Sequence, residues 1–415
     1  MSRNKKSKIL YIGSWRDPAR RPGLPVNYLQ EKETLKVFGF HVTAEYKTTR
    51  DQSWEARLKK LRGALISWKD RDLPTLEQRV KVVNVYMSST IWYTAQVLPL
   101  PASFCKQIDQ ELGRFIFRGR ITMGRLKLEQ LCHPVTKGGM GLFNTERKAK
   151  SLFMRQISRM LRRKGKGFKH ISYWLGSSLA NQITLCENGP RATQAPSGLH
   201  LQMKHRISEG LERGDEAQFL SSTAKMMYKS LSEDLPQPRL AQEATDEEEV
   251  KRVFGRLSSK VLNVHQRNAI FCLVNNLVRN KEHMSRVWDR GDAMCDHNPD
   301  VTGECAGVEQ TVAHLYQTCG RVSEAWSWLL AFITTVLGLP PASVSEEDML
   351  RMTFDVSHYF EKEVTWLLGN YYEYINKEAI AKDRVVKAAE LQSILRGRKL
   401  AMGQRRAPTL GLFNL

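Results

Sequence analysis

The chain has 415 residues, with 64 Lys and Arg against 43 Asp and Glu, so its formal net charge is +21. Hydrophobic residues make up 41% of the sequence, a share typical of globular proteins that excludes wholesale disorder. Seven cysteines are too few for a disulfide scaffold and favour a reducing compartment.

The first two elements are predicted to be strands. Residues 5–13 are basic and then briefly apolar, and residues 35–42 form a second apolar stretch. A loop rich in Pro, Gly and Arg lies between them. The apolar part of the first stretch is too short for a secretory signal. We therefore expect no secretory signal, and a nuclear or cytoplasmic location.

Helices are predicted to follow these strands. Apolar residues recur at intervals of three and four from Trp54 to Trp68, which predicts an amphipathic helix over residues 52–68. Thr75 is suited to cap the next helix, which runs towards Tyr93.

A further helix is predicted over residues 102–117, and a glycine-rich segment comes after it. Residues 138–141 read Gly-Gly-Met-Gly, a tight loop that needs backbone angles available mainly to glycine. The next helix is predicted to pass through the most basic part of the chain.

The positive charge is concentrated in residues 1–170. They hold 36 basic and 13 acidic residues, a net charge of +23, whereas residues 171–415 hold 28 basic and 30 acidic residues, a net charge of −2. This asymmetry indicates a polyanion partner, because each phosphate that a cation neutralises releases counterions. The densest cluster consists of Arg155, Arg159, Arg162, Arg163, Lys164, Lys166 and Lys169.

Aromatic residues follow this basic cluster at Tyr173 and Trp174, shortly after His170. Aromatic rings beside cations can stack on bases, whereas cations alone hold only phosphates. The pattern therefore predicts contact with nucleic acid. A solvated helix face with a core Trp behind it is the alternative interpretation.

The C-terminal half is predicted to contain two linkers followed by helices. Residues 187–200 and 235–249 have linker compositions, and helices are predicted within residues 250–335 and 346–400. The uncharged run 325–345 is predicted to be a buried helix, because prolines break it before it is long enough to span a membrane.

Several short motifs occur in an order known from one polymerase family. They are Asn4-Lys5-Lys6-Ser7-Lys8 before Gly13, Val37-Phe38-Gly39-Phe40, Trp54 with Trp68, Arg71, Leu73 and Arg79, Tyr93 with Leu98-Pro99-Leu100-Pro101, Phe115-Ile116-Phe117-Arg118-Gly119, Pro134 with Gly138-Gly139-Met140-Gly141-Leu142, and Thr223 with Lys225, Tyr228 and Leu231. Together they resemble the C-terminal part of reverse transcriptases from LINE-type (non-LTR) retrotransposons. Phe117 departs from that pattern, since a Trp is more usual there.

A Cys and His pattern near residue 310 has metal-binding chemistry. Zn²⁺ binds four nitrogen or sulfur ligands in a tetrahedron. His314 and Cys319 are five positions apart and can face one point from a helix end, while Cys305 can reach that point from the preceding loop. Leu315 and Tyr316 are expected to pack onto neighbouring helices. The pattern is similar to the zinc-binding motif of the same family, which implies a zinc ion and the ligands Cys295, Cys305, His314 and Cys319.

The first cysteine pair departs from the family, in which the two cysteines are usually close. Nine residues separate Cys295 from Cys305, and Thr302 stands where a close partner is expected. His297 is an alternative first ligand, and a metal-free site in which His314 only caps or packs is a second alternative. The remaining cysteines are interpreted as core thiols: Cys105, Cys132, Cys186 and Cys272.

The carboxylates of a polymerase active site are not evident. Two-metal catalysis needs clustered carboxylates that hold Mg²⁺ on the incoming phosphates. The chain contains no Asp-Asp dipeptide, and its first residues resemble the segment located after the family's catalytic hairpin. Although the resemblance implies RNA-directed DNA polymerase activity for the family, we expect no Mg²⁺ site and no such activity from this chain on its own.

The sequence thus predicts a mainly α fold with a small β remnant of the palm, a helical thumb and a helical zinc-binding C-terminal domain. The expected partner is RNA or an RNA–DNA hybrid, with no membrane and no small-molecule substrate. The alternative is a zinc-stabilised interaction module, or an inactive remnant, without a nucleic-acid role. The predicted segments are 1–48 (palm end), 49–186 (thumb and basic helices), 187–250 (linker or connecting region), 251–345 (zinc-binding domain) and 346–415 (C-terminal helices and frayed tail).

Overall fold

The computed structural model describes most of the chain. The described residues are 7–22, 29–87, 89–119, 126–162, 165–179, 183, 197–236, 247–278, 280–288, 292–296, 305, 307–337, 345–356 and 360–402. They are mainly α-helical with two small two-stranded sheets, which confirms the predicted fold class. Within these residues no helix is both long enough and apolar enough to cross a membrane.

The elements are numbered in chain order. The strands are β1 (Ser7–Ile9), β2 (Leu29–Glu31), β3 (Thr34–Val37) and β4 (Phe40–Thr43). The helices are α1 (Tyr46–Lys69), α2 (Leu76–Val82), α3 (Ser89–Ala95), α4 (Ala102–Ile116), α5 (Thr145–Arg162), α6 (Lys166–Leu179), α7 (Gly198–Glu212), α8 (Glu216–Ser221), α9 (Ala224–Leu231), α10 (Glu247–Leu257), α11 (Val264–Val274), α12 (Lys281–Trp288), α13 (Ser323–Leu337), α14 (Glu346–Arg351), α15 (Glu361–Ile375) and α16 (Ala388–Met402).

The chain divides into two compact units. The N-terminal unit comprises Met1–Asp72, Lys81–Ile121 and Phe143–Leu235. The C-terminal unit comprises Leu73–Val80, Thr122–Leu142 and Pro236–Leu415. This division cuts across the predicted segments, because the residues around Thr75 and the glycine loop pack with the C-terminal unit.

The strands of the N-terminal unit form two separate pairs. β1 pairs in parallel with β2, and β3 pairs antiparallel with β4. The prediction of one strand over residues 35–42 is wrong, because a turn at Phe38 and Gly39 divides it into a hairpin. Both residues have positive φ, 48° and 84°, as a two-residue hairpin turn requires.

The core of the N-terminal unit lies against α1 and α5. Trp54 and Leu61 of α1 are fully buried, and Trp54 Nε1 donates a hydrogen bond of 3.0 Å to the carbonyl oxygen of Pro99. The cluster around α5 contains residues of five helices: Phe153, Met154, Ile157, Leu161, Ile171, Leu175, Met203, Ile207, Phe219, Met227 and Leu231.

Three of these helices lie inside the region predicted to connect two domains. α7, α8 and α9 bury apolar side chains against α5, each of which contributes about 1.5–3 kcal/mol when fully buried. Asp215 and Thr223 accept hydrogen bonds from backbone N–H groups and so cap α8 and α9. Much of residues 187–250 is therefore part of a folded core.

The start of α2 confirms the cap predicted at Thr75. The Thr75 hydroxyl accepts a hydrogen bond from the Gln78 N–H at 3.2 Å, and the Gln78 side chain accepts one from the Thr75 N–H at 3.1 Å. This reciprocal pair is a capping box. Glu77 then accepts hydrogen bonds from Nε and Nη2 of Arg267 in α11, at 2.9 and 3.1 Å.

Helix α15 is the centre of the C-terminal unit. Its residues Val364, Leu367, Leu368 and Ile375 are buried. Helices from both sides of the predicted boundary at residue 345 pack in this unit, so the predicted zinc-binding domain and C-terminal helices form one folded body. The buried Arg256 of α10 helps to join them, since its Nε donates to Glu361 at 3.0 Å.

The glycine loop has the backbone that the sequence predicts. Gly138 and Gly141 have φ of 80° and 67°. Gly138 also faces the ring of Phe254 so closely that a Cβ at this position would overlap the ring.

Gly138→Ala is expected to lower the free energy of unfolding by about 2 kcal/mol or more, through backbone strain and overlap with Phe254. Gly255→Ala is the matched control, since a Cβ there meets nothing within 4 Å and alanine favours the helix by about 0.5–1 kcal/mol. Denaturant unfolding of both variants measures the difference. Equal stabilities would contradict the predicted close approach.

Candidate metal centre and basic surface

Four potential metal ligands converge in the C-terminal unit. The donor atoms of Cys295, Cys305, His314 and Cys319 all lie within 4.8 Å of one another. The sulfur of Cys319 is 3.8 Å from that of Cys305 and 4.0 Å from that of Cys295. A tetrahedral ion with metal–sulfur bonds of about 2.3 Å places its sulfur ligands about 3.8 Å apart. The four residues predicted from the sequence therefore form a cluster that could hold a metal ion.

A short antiparallel bridge places Cys295 in the cluster. The Cys295 N–H donates to the carbonyl oxygen of Val308, and the Gln310 N–H donates to that of Ala293, both at 2.9 Å. The Val308 N–H bonds in turn to the carbonyl oxygen of Cys305 at 3.2 Å. These backbone bonds hold the two cysteines on neighbouring segments, although they are far apart in sequence.

A π-helical turn places His314 and Cys319 on the same side. The turn spans His314–Thr318, and the Cys319 N–H donates to the carbonyl oxygen of His314 at 2.8 Å. This bond links residues five apart, as in a π-helix. The predicted convergence of these two side chains thus follows from one wide turn of backbone.

The second ring nitrogen of His314 is fixed by a neighbouring hydroxyl. His314 Nδ1 lies 3.1 Å from Thr318 Oγ1. When Nδ1 carries the proton and donates it to Thr318, Nε2 holds the lone pair that a metal ion needs. Thr318 was not predicted from the sequence. Its position four residues after His314, on the same helical face, is the signal that could have identified it.

Backbone N–H groups surround the sulfur atoms. The Gly320 N–H lies 3.3 Å from the sulfur of Cys305, and the Arg321 N–H bonds to that of Cys319. Burial is nevertheless the largest influence on Cys319 and raises its pKa to about 12. In the absence of an ion this thiol stays protonated at neutral pH, so a metal ion must displace its proton.

The other predicted cysteines and ligands lie elsewhere. Cys105 and Cys132 are buried outside the cluster, and Cys272 is also not part of it. His297, Thr302 and Cys186 lie outside the described residues. Within the described chain, Cys295 is therefore the first of the potential ligands in the cluster.

Aromatic residues attach the cluster to the core of its unit. Leu315 and Tyr316 are buried, which confirms the packing expected of them. The Tyr316 hydroxyl donates to Asn376 Oδ1 at 2.7 Å, and the Tyr371 hydroxyl donates to the carbonyl oxygen of Tyr316. The π-helical turn is thus bonded on both sides to the region of α15.

The described residues of the predicted basic cluster lie on two successive helices of the N-terminal unit. Arg155, Arg159 and Arg162 are spaced by four and three on α5, so they are neighbours on its surface. Lys166 and Lys169 are exposed on α6. Arg163 and Lys164 lie outside the described residues. We call the five described cations the basic face.

Among the described residues, none of the five cations of the basic face is within ion-pair distance of a carboxylate. Glu146 of α5 and Glu209 of α7 pair with Lys150 and Arg206. Arg155 donates to the carbonyl oxygen of Ser222 at 3.0 Å. Partial burial, followed by repulsion from Arg162 and Arg159, lowers its pKa from the usual value. Arg155 is therefore repelled by the other two arginines, and a polyanion would relieve this repulsion.

The predicted stacking role of Trp174 does not fit its surroundings. The Trp174 ring is packed against the apolar cluster around α5 and stacks on the ring of His200, with centroids 5.2 Å apart. His200 also contacts His170, with their Nε2 atoms 2.8 Å apart. Trp174 therefore matches the alternative interpretation of a core Trp behind a charged face, while Tyr173 remains partly exposed.

The two structural units differ in charge much as the two parts of the sequence do. The N-terminal unit contains 38 basic and 18 acidic residues, a formal net charge of +20. The C-terminal unit contains 26 basic and 25 acidic residues, a net charge of +1. The excess positive charge thus belongs to the N-terminal unit, which carries the basic face. The four potential metal ligands belong to the nearly neutral C-terminal unit.

No protein-family model and no curated protein sequence matches this chain. The resemblance to non-LTR reverse transcriptases therefore stays a prediction from the motifs of the sequence.

Cys305→Ser is expected to abolish metal binding, because it removes one of four ligands from a buried site. Cys132→Ser is the matched control, a buried cysteine of the same unit outside the cluster. Elemental analysis of the purified proteins should find about one ion per chain in the wild type and control only. Metal-free wild-type protein with an unchanged melting temperature would contradict the site.

Proposed function

We propose that this chain is a nucleic-acid-binding C-terminal part of a non-LTR retrotransposon reverse transcriptase. In this proposal the chain binds RNA or an RNA–DNA hybrid through the phosphate backbone. The observation that carries the proposal is the basic face, in which five cations of a unit with a net charge of +20 have no carboxylate partner among the described residues.

The proposed mode of binding follows from the chemistry of these side chains. Arg and Lys on a helix surface bind phosphate oxygens and so position a nucleic acid without reading its sequence. Binding should therefore be strongly salt-dependent, because phosphate contacts release counterions. The lack of an Asp-Asp dipeptide supports a role in holding nucleic acid, without polymerase activity of its own.

Zinc is the ion that we propose for the cluster. A set of three thiol ligands and one imidazole is typical of structural zinc sites, in which four protein ligands close the coordination shell. Hydrogen bonds from Gly320 and Arg321 to the sulfurs, and from His314 to Thr318, supply the outer contacts that orient such ligands. The ion would then stabilise the C-terminal unit.

A zinc-stabilised interaction module without a nucleic-acid role is the second candidate. The near neutrality of the C-terminal unit, at a net charge of +1, favours it for that unit. Binding of RNA by the full chain separates the two candidates, since the module alone predicts none.

Zinc affinity is expected to rise with pH. The pKa of Cys319 is raised to about 12 in the metal-free fold, so binding at neutral pH must release its proton. Each released proton strengthens binding about tenfold per pH unit while the thiol is protonated. Competition titrations with a chromophoric chelator at two pH values, with the chelator's own protonation corrected, measure this effect. Affinity independent of pH would contradict a thiol-rich site.

Reversing the charge of the basic face is expected to weaken RNA binding and its salt dependence. In Arg159→Glu/Arg162→Glu, the loss of about two phosphate contacts should lower the slope of log K against log salt by about 1–2. Lys260→Glu/Arg396→Glu makes the same charge change on exposed residues of the C-terminal unit and serves as the control. If the affinity of the wild type for RNA does not change between about 50 and 200 mM salt, the proposed binding to the phosphate backbone is contradicted.

A further inference from the structure

A second aromatic and cationic group in the N-terminal unit includes none of the residues of the basic face. Trp68 at the end of α1 packs on Tyr86, with ring centroids 5.0 Å apart and planes tilted by 34°. The guanidinium of Arg71 lies over the Trp68 ring, 4.4 Å from its centroid. We call these three residues the aromatic ledge.

The ledge leaves apolar surface in solvent. Tyr86 is 57% exposed although it contacts Trp68, and the preceding Val85 is 62% exposed. The buried residues of the same segment are Val82 and Val83. Single exposed apolar residues are ordinary, whereas exposed apolar side chains that lie together are the feature that marks interaction surfaces.

The backbone accounts for how Tyr86 becomes exposed. Val83–Met87 is a π-helical turn, which is wider than an α-helical turn. On a regular α-helix Tyr86 would share a face with the buried Val82 and Val83, which precede it by four and three residues, whereas on this wider turn it is exposed. π-Turns of this kind occur frequently at functional sites.

We propose that the aromatic ledge stacks on unpaired bases of a bound nucleic acid. This inference rests on the proposed function, and it adds a surface for single-stranded segments to the phosphate grip. Every base has a π-face, so stacking on Tyr86 tolerates any sequence. Arg71 adds positive charge beside the rings and belongs to a unit with a net charge of +20, which suits a polyanion.

The ledge has the properties that the sequence assigned to Tyr173 and Trp174. Trp174 packs against the core around α5, whereas Tyr86 presents most of its side chain to solvent. Trp68 supports Tyr86 from one side and limits its rotation. A ring held in this way loses less conformational entropy when a base stacks on it.

The test compares Tyr86→Ala with Tyr86→Phe, which keeps the ring. The probes are labelled single-stranded oligoribonucleotides and oligodeoxyribonucleotides of about 12 nucleotides, with an abasic oligonucleotide of the same length. Fluorescence anisotropy at several salt concentrations gives affinity and salt slope. Because Tyr86 is exposed, we expect the melting temperature of both variants to match that of the wild type.

Tyr86→Ala is expected to weaken binding of the base-containing probes about fivefold or more, while Tyr86→Phe stays within about twofold of wild type. The salt slope should not change, since no phosphate contact is lost, and the abasic probe should bind all three proteins equally. A similar loss for the ribonucleotide and deoxyribonucleotide probes supports stacking on the base alone, and a loss confined to one of them overturns it.

The inference is overturned if Tyr86→Ala binds like the wild type, or if it loses as much affinity for the abasic probe. In either case the phosphate grip stands, provided that Arg159→Glu/Arg162→Glu still weakens binding. If the wild type binds none of the probes, the proposed function fails and the ledge proposal fails with it.

Discussion

The meeting of three cysteine sulfurs and one histidine nitrogen within 4.8 Å is the constraint around which the C-terminal unit is arranged. Donor atoms brought this close are satisfied by a shared ion, which can hold four of them at bonding distance. The described residues beside Cys295 form only an isolated antiparallel bridge, between Met294 and Glu309. An ion would therefore contribute directly to their folding, since an unfolded chain has no such site.

Hydrogen bonds and ring contacts with neighbouring helices also hold the ligand-bearing segments in place. Tyr316 lies between two ligands in sequence, yet its hydroxyl bonds to Asn376 and its backbone carbonyl accepts from Tyr371. Trp326 packs on the Tyr371 ring, with centroids 5.3 Å apart, and donates to Glu346 at 3.1 Å. The metal cluster and the helices beyond residue 345 consequently support each other. A domain boundary at that residue would separate elements that share hydrogen bonds and one core.

Local signals predicted local structure well, and long-range packing could not be predicted in this way. The cap at Thr75 and the positive φ of Gly138 follow from chemistry within a few residues. The convergence of His314 and Cys319 follows from their spacing. The helices α7–α9 were missed because their short apolar faces become meaningful only against α5, which is distant in sequence. Trp174 was misjudged for the same reason, since nothing in its neighbours reveals that the ring packs against a core.

The π-turns show most clearly why the finer geometry exceeds what the sequence predicts. Three such turns occur in the described part of the chain: Val83–Met87, His314–Thr318 and Asn376–Ile380. The first contains the exposed Tyr86, the second aligns two potential metal ligands, and the third begins with Asn376, which accepts a hydrogen bond from Tyr316. A π-turn is less favourable than an α-helical turn and persists only where other contacts stabilise it. The position of a π-turn therefore depends on contacts throughout its unit. At these turns, residues of ordinary helical sequence acquire the orientations on which the cluster of potential metal ligands and the aromatic ledge depend.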